Sequence, residues 1–186
     1  MTRPLSDRLA GGVWGHLVGD AVGVPYEFLE PSAVGTVEMR GGGHWRQPRG
    51  TWSDDGALML ALLDSLLVRG FDPEDQGRRF LDWFDGTAYT PDGDGRFDQG
   101  GATGRALDRV RAGVPAEEAG GTGERDLGNG SLMRILPLAL VERVVELGEG
   151  VRQLAAGDEE LETLDEVRLA REALGERGDL LREVDD

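Results

Sequence analysis

The stretch Gly50–Val68, GTWSDDGALMLALLDSLLV, sets a polar turn directly before an apolar run. From residue 57 to residue 68 the run consists of leucine, alanine, methionine and valine, interrupted by Asp64 and Ser65. Such a run predicts a helix over residues 56–68 that is buried in the domain. Ser53, Asp54 and Asp55 stand just before this helix, so its entry offers a hydroxyl and two carboxylates at consecutive positions.

The remainder of the chain also predicts helices. No segment alternates polar and apolar residues at period two for long enough to form a sheet, so the predicted fold class is all-α, a compact helical domain. Pro137 is expected to kink the last predicted helix, over residues 132–147, near its start. Four other helices are predicted. One begins after an N-cap at Ser6 and one begins at Asp72-Pro73, and the other two cover residues 102–112 and 132–147. Long loops are predicted over residues 29–52, 86–98 and 116–127, and loops of that length are often functional.

Composition narrows the class of protein. The chain has 186 residues, no cysteine, no lysine and a net charge of −16, which disfavours nucleic-acid partners, thiol catalysis and disulfides. There is no signal-peptide pattern and the longest uncharged stretch, 11 residues, is too short to span a membrane, so a cytoplasmic protein is expected. Residues 1–150 are predicted to form the domain. Residues 151–186, with a charge of −7, are predicted to form an acidic tail that is helical or partly disordered.

The turn formed by Ser53, Asp54 and Asp55, called the acidic turn below, has two interpretations. Three oxygen ligands on one turn suit a hard cation such as Mg²⁺, which prefers oxygen donors. Ser and Asp are also favoured at helix starts, where they cap free N–H groups and stabilise the helix dipole. One capping residue is enough for the second purpose, so the turn remains a candidate metal site formed by Ser53, Asp54 and Asp55.

A second motif, GNGSLMR over residues 128–134, contains the single Asn of the chain. Its two glycines permit unusual dihedral angles, and its backbone N–H groups suit a phosphate or diphosphate. The alternative is a tight turn capped by Ser131.

Three further carboxylates have open roles. Asp20 lies on an otherwise apolar and small-residue helix, so it needs a partner, either a neighbouring N–H group or a ligand. Glu27 is either a solvated turn residue or part of a site. Asp98 either caps the helix that follows it or reaches into a shared cleft.

In combination, the motifs resemble the ADP-ribosylglycohydrolase family, the enzymes related to dinitrogenase-reductase-activating glycohydrolase. The resemblance rests on GDAVGVPYEF at residues 19–28, WSDDG at 52–56 and GNGSLMR at 128–134, in that order, with a looser element at 97–103. It implies an all-α fold and two Mg²⁺ ions at the base of a cleft. The implied substrate is an ADP-ribosylated protein or a small ADP-ribose conjugate.

The resemblance also implies roles for individual residues. Asp55, Asp98 and Glu27 are the expected catalytic residues, and Ser53, Asp54 and Asp55 the expected metal ligands. The expected substrate-binding residues are Gly128, Asn129, Gly130, Ser131, Met133 and Arg134.

One family element has no counterpart here. Family chains carry an Asp-x-Asp-Thr-like stretch after these motifs, and nothing over residues 151–186 matches it. The expectation is therefore a domain truncated at its C-terminal side, with one partial Mg²⁺ site. The predicted function is a Mg²⁺-dependent hydrolase that removes ADP-ribose from protein side chains, inactive if the missing ligands are essential. The alternative is a non-catalytic module that binds ADP-ribose or a nucleotide.

Overall fold

Helices joined by long loops form the part of the chain that the computed structural model describes, which is residues 3–91, 95–142 and 144. The described residues contain no strand, and an isolated antiparallel bridge joins Gly42 to Gln47. The predicted all-α class is confirmed. The helices are α1 (Leu5–Gly23), α2 (Asp54–Arg69), α3 (Pro73–Asp85), α4 (Gly101–Arg111) and a further segment over residues 136–142. Short 3₁₀ turns lie at Val24–Tyr26, Pro31–Ala33, Ala116–Glu118, Glu124–Asp126 and Asn129–Ser131.

Helix α2 is the centre of the domain, as its apolar run predicts. Its residues from Gly56 to Leu63 are all buried, and it packs against both α1 and α3. On one side Leu58 contacts Trp83 of α3 in a cluster that extends to α4, and on another Met59 packs with Leu17 of α1. This burial fixes the N-terminus of α2 relative to the three other helices.

An ion-pair network joins α2 to α3 and to the following loop. The guanidinium of Arg79 bonds Asp75 of its own helix and Asp64 of α2, and it donates to the hydroxyl of Tyr89 at 3.1 Å. The carbonyl of Tyr89 in turn accepts the indole N–H of Trp52 at 2.9 Å. Because Trp52 immediately precedes the acidic turn, the network anchors that turn from the α3 side.

Two local predictions were wrong. Helix α1 begins at Leu5, not after Ser6, because the earlier start buries Leu5 against Leu9 and Val144. Pro137 does not kink a helix that started at residue 132. The segment starts at residue 136 instead, and Pro137 lies in its first turn, where no intrahelical N–H is needed.

Residues 145–186 include the predicted acidic tail, which therefore lies outside the described residues. Within the described part of the chain, no helix combines the length and apolar character needed to cross a bilayer.

Candidate active site

Asp20 organises the acidic turn from α1. Its Oδ2 accepts the backbone N–H groups of Ser53, at 2.9 Å, and Gly56, at 2.8 Å, and its Oδ1 accepts the Ser53 hydroxyl at 2.8 Å. Ser53 itself is the N-cap of α2 and accepts the N–H of Asp55 at 3.3 Å. The structural interpretation of Asp20 is thus confirmed: one carboxylate, 33 to 36 residues away in sequence, satisfies the free donors at the start of α2.

Gly56 is required by this arrangement. A Cβ atom at position 56 would lie 2.8 Å from the ring of Trp52 and 3.0 Å from Asp20 Oδ2. The glycine lets the indole and the carboxylate both approach the first turn of α2, which explains its place directly after the two acidic residues.

Four carboxylates from three stretches of the chain lie near enough at this turn for their charges to interact: Glu27, Asp54, Asp55 and Asp98. Burial, helped by the charges of Asp55 and Asp98, raises the pKa of Asp54 to about 8. Burial and a hydrogen bond with Glu27 raise the pKa of Asp98 to about 7. Burial also raises the pKa of Asp55, although His16 opposes it. The cluster therefore holds more negative charge than its surroundings compensate, which favours protons or cations.

Asp98 is part of this cluster and does not cap α4. The N-cap of α4 is Gly100, without a side-chain hydrogen bond, and the backbone N–H of Gly100 instead bonds Asp54. Asp98 has a φ of +62°, a left-handed conformation that Asp tolerates better than most residues. This backbone geometry accompanies its contact with Glu27, so capping of α4 by Asp98 was wrong, and a place for Asp98 in a cleft stays a prediction.

Glu27 is held by an aromatic group from the long loop. The indole N–H of Trp45 donates to Glu27 Oε2. Trp45 also contacts Phe97, at 5.8 Å between ring centroids, and Phe28 at 6.1 Å. Phe28 is 75% exposed and has a φ of +61°. The carboxylate cluster is thus bordered by rings that join the loop after α1 to the loop before α4.

The GNGSLMR motif lies beside the first turn of α4. Neither Gly128 nor Gly130 has a positive φ, so the predicted use of unusual dihedrals was wrong. Gly130 is required for space instead, because a Cβ there would lie 2.7 Å from Thr103 Oγ1. Residues Asn129–Ser131 form a 3₁₀ turn without a side-chain cap, so capping by Ser131 was also wrong.

The last two residues of the motif point into the domain. Met133 packs against the cluster that contains Leu58 and Trp83. The guanidinium of Arg134 stacks on the ring of Phe80, 4.9 Å from its centroid. Burial lowers the pKa of Arg134, while the charge of Asp54 opposes that shift.

The donor atoms of the acidic turn suit a hard cation. After donating to Asp20 and accepting from Asp55, the Ser53 hydroxyl has one lone pair left, and Asp54 and Asp55 offer carboxylate oxygens. Within residues 3–91, 95–142 and 144, however, no three acidic or histidine side chains converge closely enough to ligate one ion together. A partial Mg²⁺ site at Ser53, Asp54 and Asp55, with several positions left to water, therefore stays a prediction.

Sequence reasoning missed Trp45 as a site residue. Its contact with Glu27 spans 18 residues between two irregular segments, and no periodic pattern marks such a pair. A tryptophan in a loop rich in glycine and charged residues is a weak signal of such a distant contact, because the loop itself has few apolar residues that could bury the ring.

Comparisons with known proteins found similar sequences and a similar solved structure. The sequence profile described as ADP-ribosylglycohydrolase matches residues 1–163. The chain is 35% identical, over 74% of its residues, to the ADP-ribosylarginine hydrolase Tri1 of Pseudomonas putida, and it covers 37% of that protein. It is 32% identical, over 75% of its residues, to the ADP-ribosyl-[dinitrogen reductase] glycohydrolase of Rhodospirillum rubrum, and it covers 47% of it.

A solved structure described as an ADP-ribosylglycohydrolase-related protein complex is also similar. It aligns with a TM-score of 0.61 and 35% identity over 97% of this chain and 56% of that one. This chain spans less than half of the length of either curated relative.

Proposed function

The chain belongs to the ADP-ribosylglycohydrolase family, and on that premise we propose that it removes ADP-ribose from modified protein side chains in a Mg²⁺-dependent hydrolysis. Enzymes of this family act on ADP-ribosylated proteins. The observation that carries the proposal is the meeting of Glu27, Asp54, Asp55 and Asp98 at one end of α2. The cytoplasmic location stays a prediction.

Asp98 and Asp55 supply the proton transfers in this proposal. Hydrolysis of a glycosidic bond adds hydroxide to the ribose C1 and a proton to the departing side-chain atom. Burial and the hydrogen bond with Glu27 raise the pKa of Asp98 to about 7, so Asp98 can hold a proton near neutral pH and suits a general acid for the departing group. Asp55 accepts the proton of the attacking water. A later transfer from Asp55 to Asp98 restores both groups.

The acidic turn and the GNGSLMR motif hold the substrate in this proposal. Ser53, Asp54 and Asp55 would hold Mg²⁺, which orients ribose hydroxyls and water and stabilises developing charge. The backbone N–H groups of residues 128–131, with the Asn129 amide, would bind the diphosphate. A role for Met133 and Arg134 in that contact stays a prediction.

The test is release of ADP-ribose from an ADP-ribosylarginine peptide. We expect slow, Mg²⁺-dependent release that falls about a hundredfold in Asp98→Asn and in Asp55→Asn, the usual scale of lost acid–base catalysis. The release should be slow because, among the described residues, no three acidic or histidine side chains could hold one ion together. Glu30→Gln, which changes an exposed carboxylate of the loop after α1, is the matched control and should retain the full rate.

Two outcomes would contradict the proposal. Release that is unchanged in both Asp variants would assign the proton transfers to other groups. Binding of ADP-ribose by calorimetry without release at any Mg²⁺ concentration would instead support the non-catalytic binding module.

Calorimetry with Mg²⁺ tests the ligand set separately. We expect weak binding, because Mg²⁺ keeps several waters when few protein oxygens are available. The double variant Asp54→Ala with Asp55→Ala should abolish the heat signal, and Glu30→Gln should leave it unchanged. An unchanged signal in the double variant would place the ion elsewhere.

A further inference from the structure

A cavity of about 320 Å³ lies between α3 and α4, apart from the carboxylate cluster. Its walls are mostly apolar and include Phe80, Leu107 and Val110. The turn around Ala116 closes one side. The volume is at the lower end of the range for small-molecule sites, so the cavity can hold a compact organic molecule.

Two residues of the cavity lining, Arg134 and Gln76, carry donor groups that have no partner among the described residues. In the described part of the chain, the guanidinium of Arg134 has no carboxylate and no hydrogen-bond acceptor in contact, whereas Arg79, Arg105 and Arg111 each form an ion pair. The amide nitrogen of Gln76 is buried and likewise lacks a hydrogen-bond partner there. Such unsatisfied donors are costly and rare in folded proteins.

The chemistry of the cavity selects an anion. Arg134 remains charged even when burial lowers its pKa, and its planar guanidinium matches a carboxylate in two parallel hydrogen bonds. The charge of Asp54 acts on the pKa of Arg134, but no hydrogen bond or ion pair joins the two side chains in the described part of the chain. The chain as a whole has a net charge of −16, whereas the Arg134 guanidinium contributes a positive charge to this cavity. The exposed Glu117 lies on the cavity wall and disfavours an anionic group at its own position.

We propose that this cavity binds a small organic anion, a carboxylate on an apolar body, and that Arg134 serves this anion instead of the ADP-ribose diphosphate, the role that the family resemblance implies for it. The carboxylate pairs with Arg134. The apolar body fills the space between Phe80 and the facing side of α4, where Leu107 and Val110 line the wall. The proposal does not depend on hydrolysis, because none of these contacts involves Asp55 or Asp98.

The test uses 4-fluorophenylacetate, followed by its ¹⁹F NMR signal as the full chain is added. We expect a dissociation constant on the order of 1 mM, typical of a fragment of this size. The neutral 4-fluorophenylacetamide should bind at least tenfold more weakly. Absence of binding by the carboxylate would overturn the proposal.

Three variants locate the site. Arg134→Met, which keeps an apolar stem over Phe80 but removes the charge, should weaken binding at least tenfold. Ala106→Leu should do the same by filling the cavity while Arg134 stays in place. Arg96→Met is the matched control, because Arg96 stacks at 4.0 Å on the ring of Phe84, which does not line the cavity, and binding should be unchanged.

Circular dichroism melting curves check that each variant is folded, and the two independent cavity variants keep the test decisive if one of them unfolds. Saturating ADP-ribose should leave the affinity for the probe within twofold. Displacement of the probe by ADP-ribose, or full affinity in both Arg134→Met and Ala106→Leu, would overturn the assignment of a separate anion site.

Discussion

Replacing Asp20 by Ala is expected to lower the free energy of unfolding by about 4 kcal/mol. The change removes the acceptor for two backbone N–H groups, those of Ser53 and Gly56, and for the buried Ser53 hydroxyl. Each buried donor left without a partner costs about 1–3 kcal/mol, and relief of the buried Asp20 charge offsets part of the sum. Urea unfolding at pH 7 with a chelator present measures the difference.

Asp20→Asn is the matched control for this prediction. The amide oxygen can accept both N–H groups, whereas the Ser53 hydroxyl loses its acceptor, so the loss should be about 1–2 kcal/mol, well below that of Asp20→Ala. Equal urea slopes in the three proteins would show that the extent of unfolding is the same. An Asp20→Ala protein as stable as Asp20→Asn would mean that the capping bonds at α2 contribute little.

The parts of the site that could be predicted are those tied to helix patterns. The apolar run of α2 and the three polar residues before it follow local rules, because a buried helix needs an apolar surface and a capped start. The structure adds that Ser53 is that cap. The grouping of Glu27, Asp54, Asp55 and Asp98 could be expected only from the family resemblance. Glu27 and Asp98 lie far from the Asp54-Asp55 pair in the sequence, so no local pattern connects them.

The parts that could not be predicted depend on distant contacts. Trp45 meets Glu27 only because two irregular loops fold over the same end of α2. Gly130 was predicted to permit an unusual φ, whereas its neighbour Thr103 shows that it is needed for space. A glycine in a loop serves either purpose, and the sequence around it does not distinguish them.

The protein without bound metal is expected to lose stability as the pH rises from 5 to 8, and Asp54→Asn is expected to remove much of that loss. Asp54 has a pKa of about 8 when folded, against 3.8 for the free side chain, so the folded state binds more protons than the unfolded state over this interval. Stability then falls as pH rises. Asp98, with a pKa of about 7, acts in the same direction. We expect a fall of about 3 kcal/mol, after allowing for solvent near the cluster.

Asp54→Asn replaces the carboxylate by a neutral group of the same shape that can still accept the N–H of Gly100. It should stabilise the protein by about 2 kcal/mol at pH 8 and have little effect at pH 4.5, where the wild-type group is already protonated. Urea unfolding across this pH range, with Glu30→Gln as control, gives both values. Mg²⁺ at pH 8 should stabilise the wild type and not Asp54→Asn, because a cation can take the place of the proton that compensates the cluster. A wild-type protein that becomes more stable between pH 5 and 8 in the presence of chelator would show that these carboxylates are not buried together.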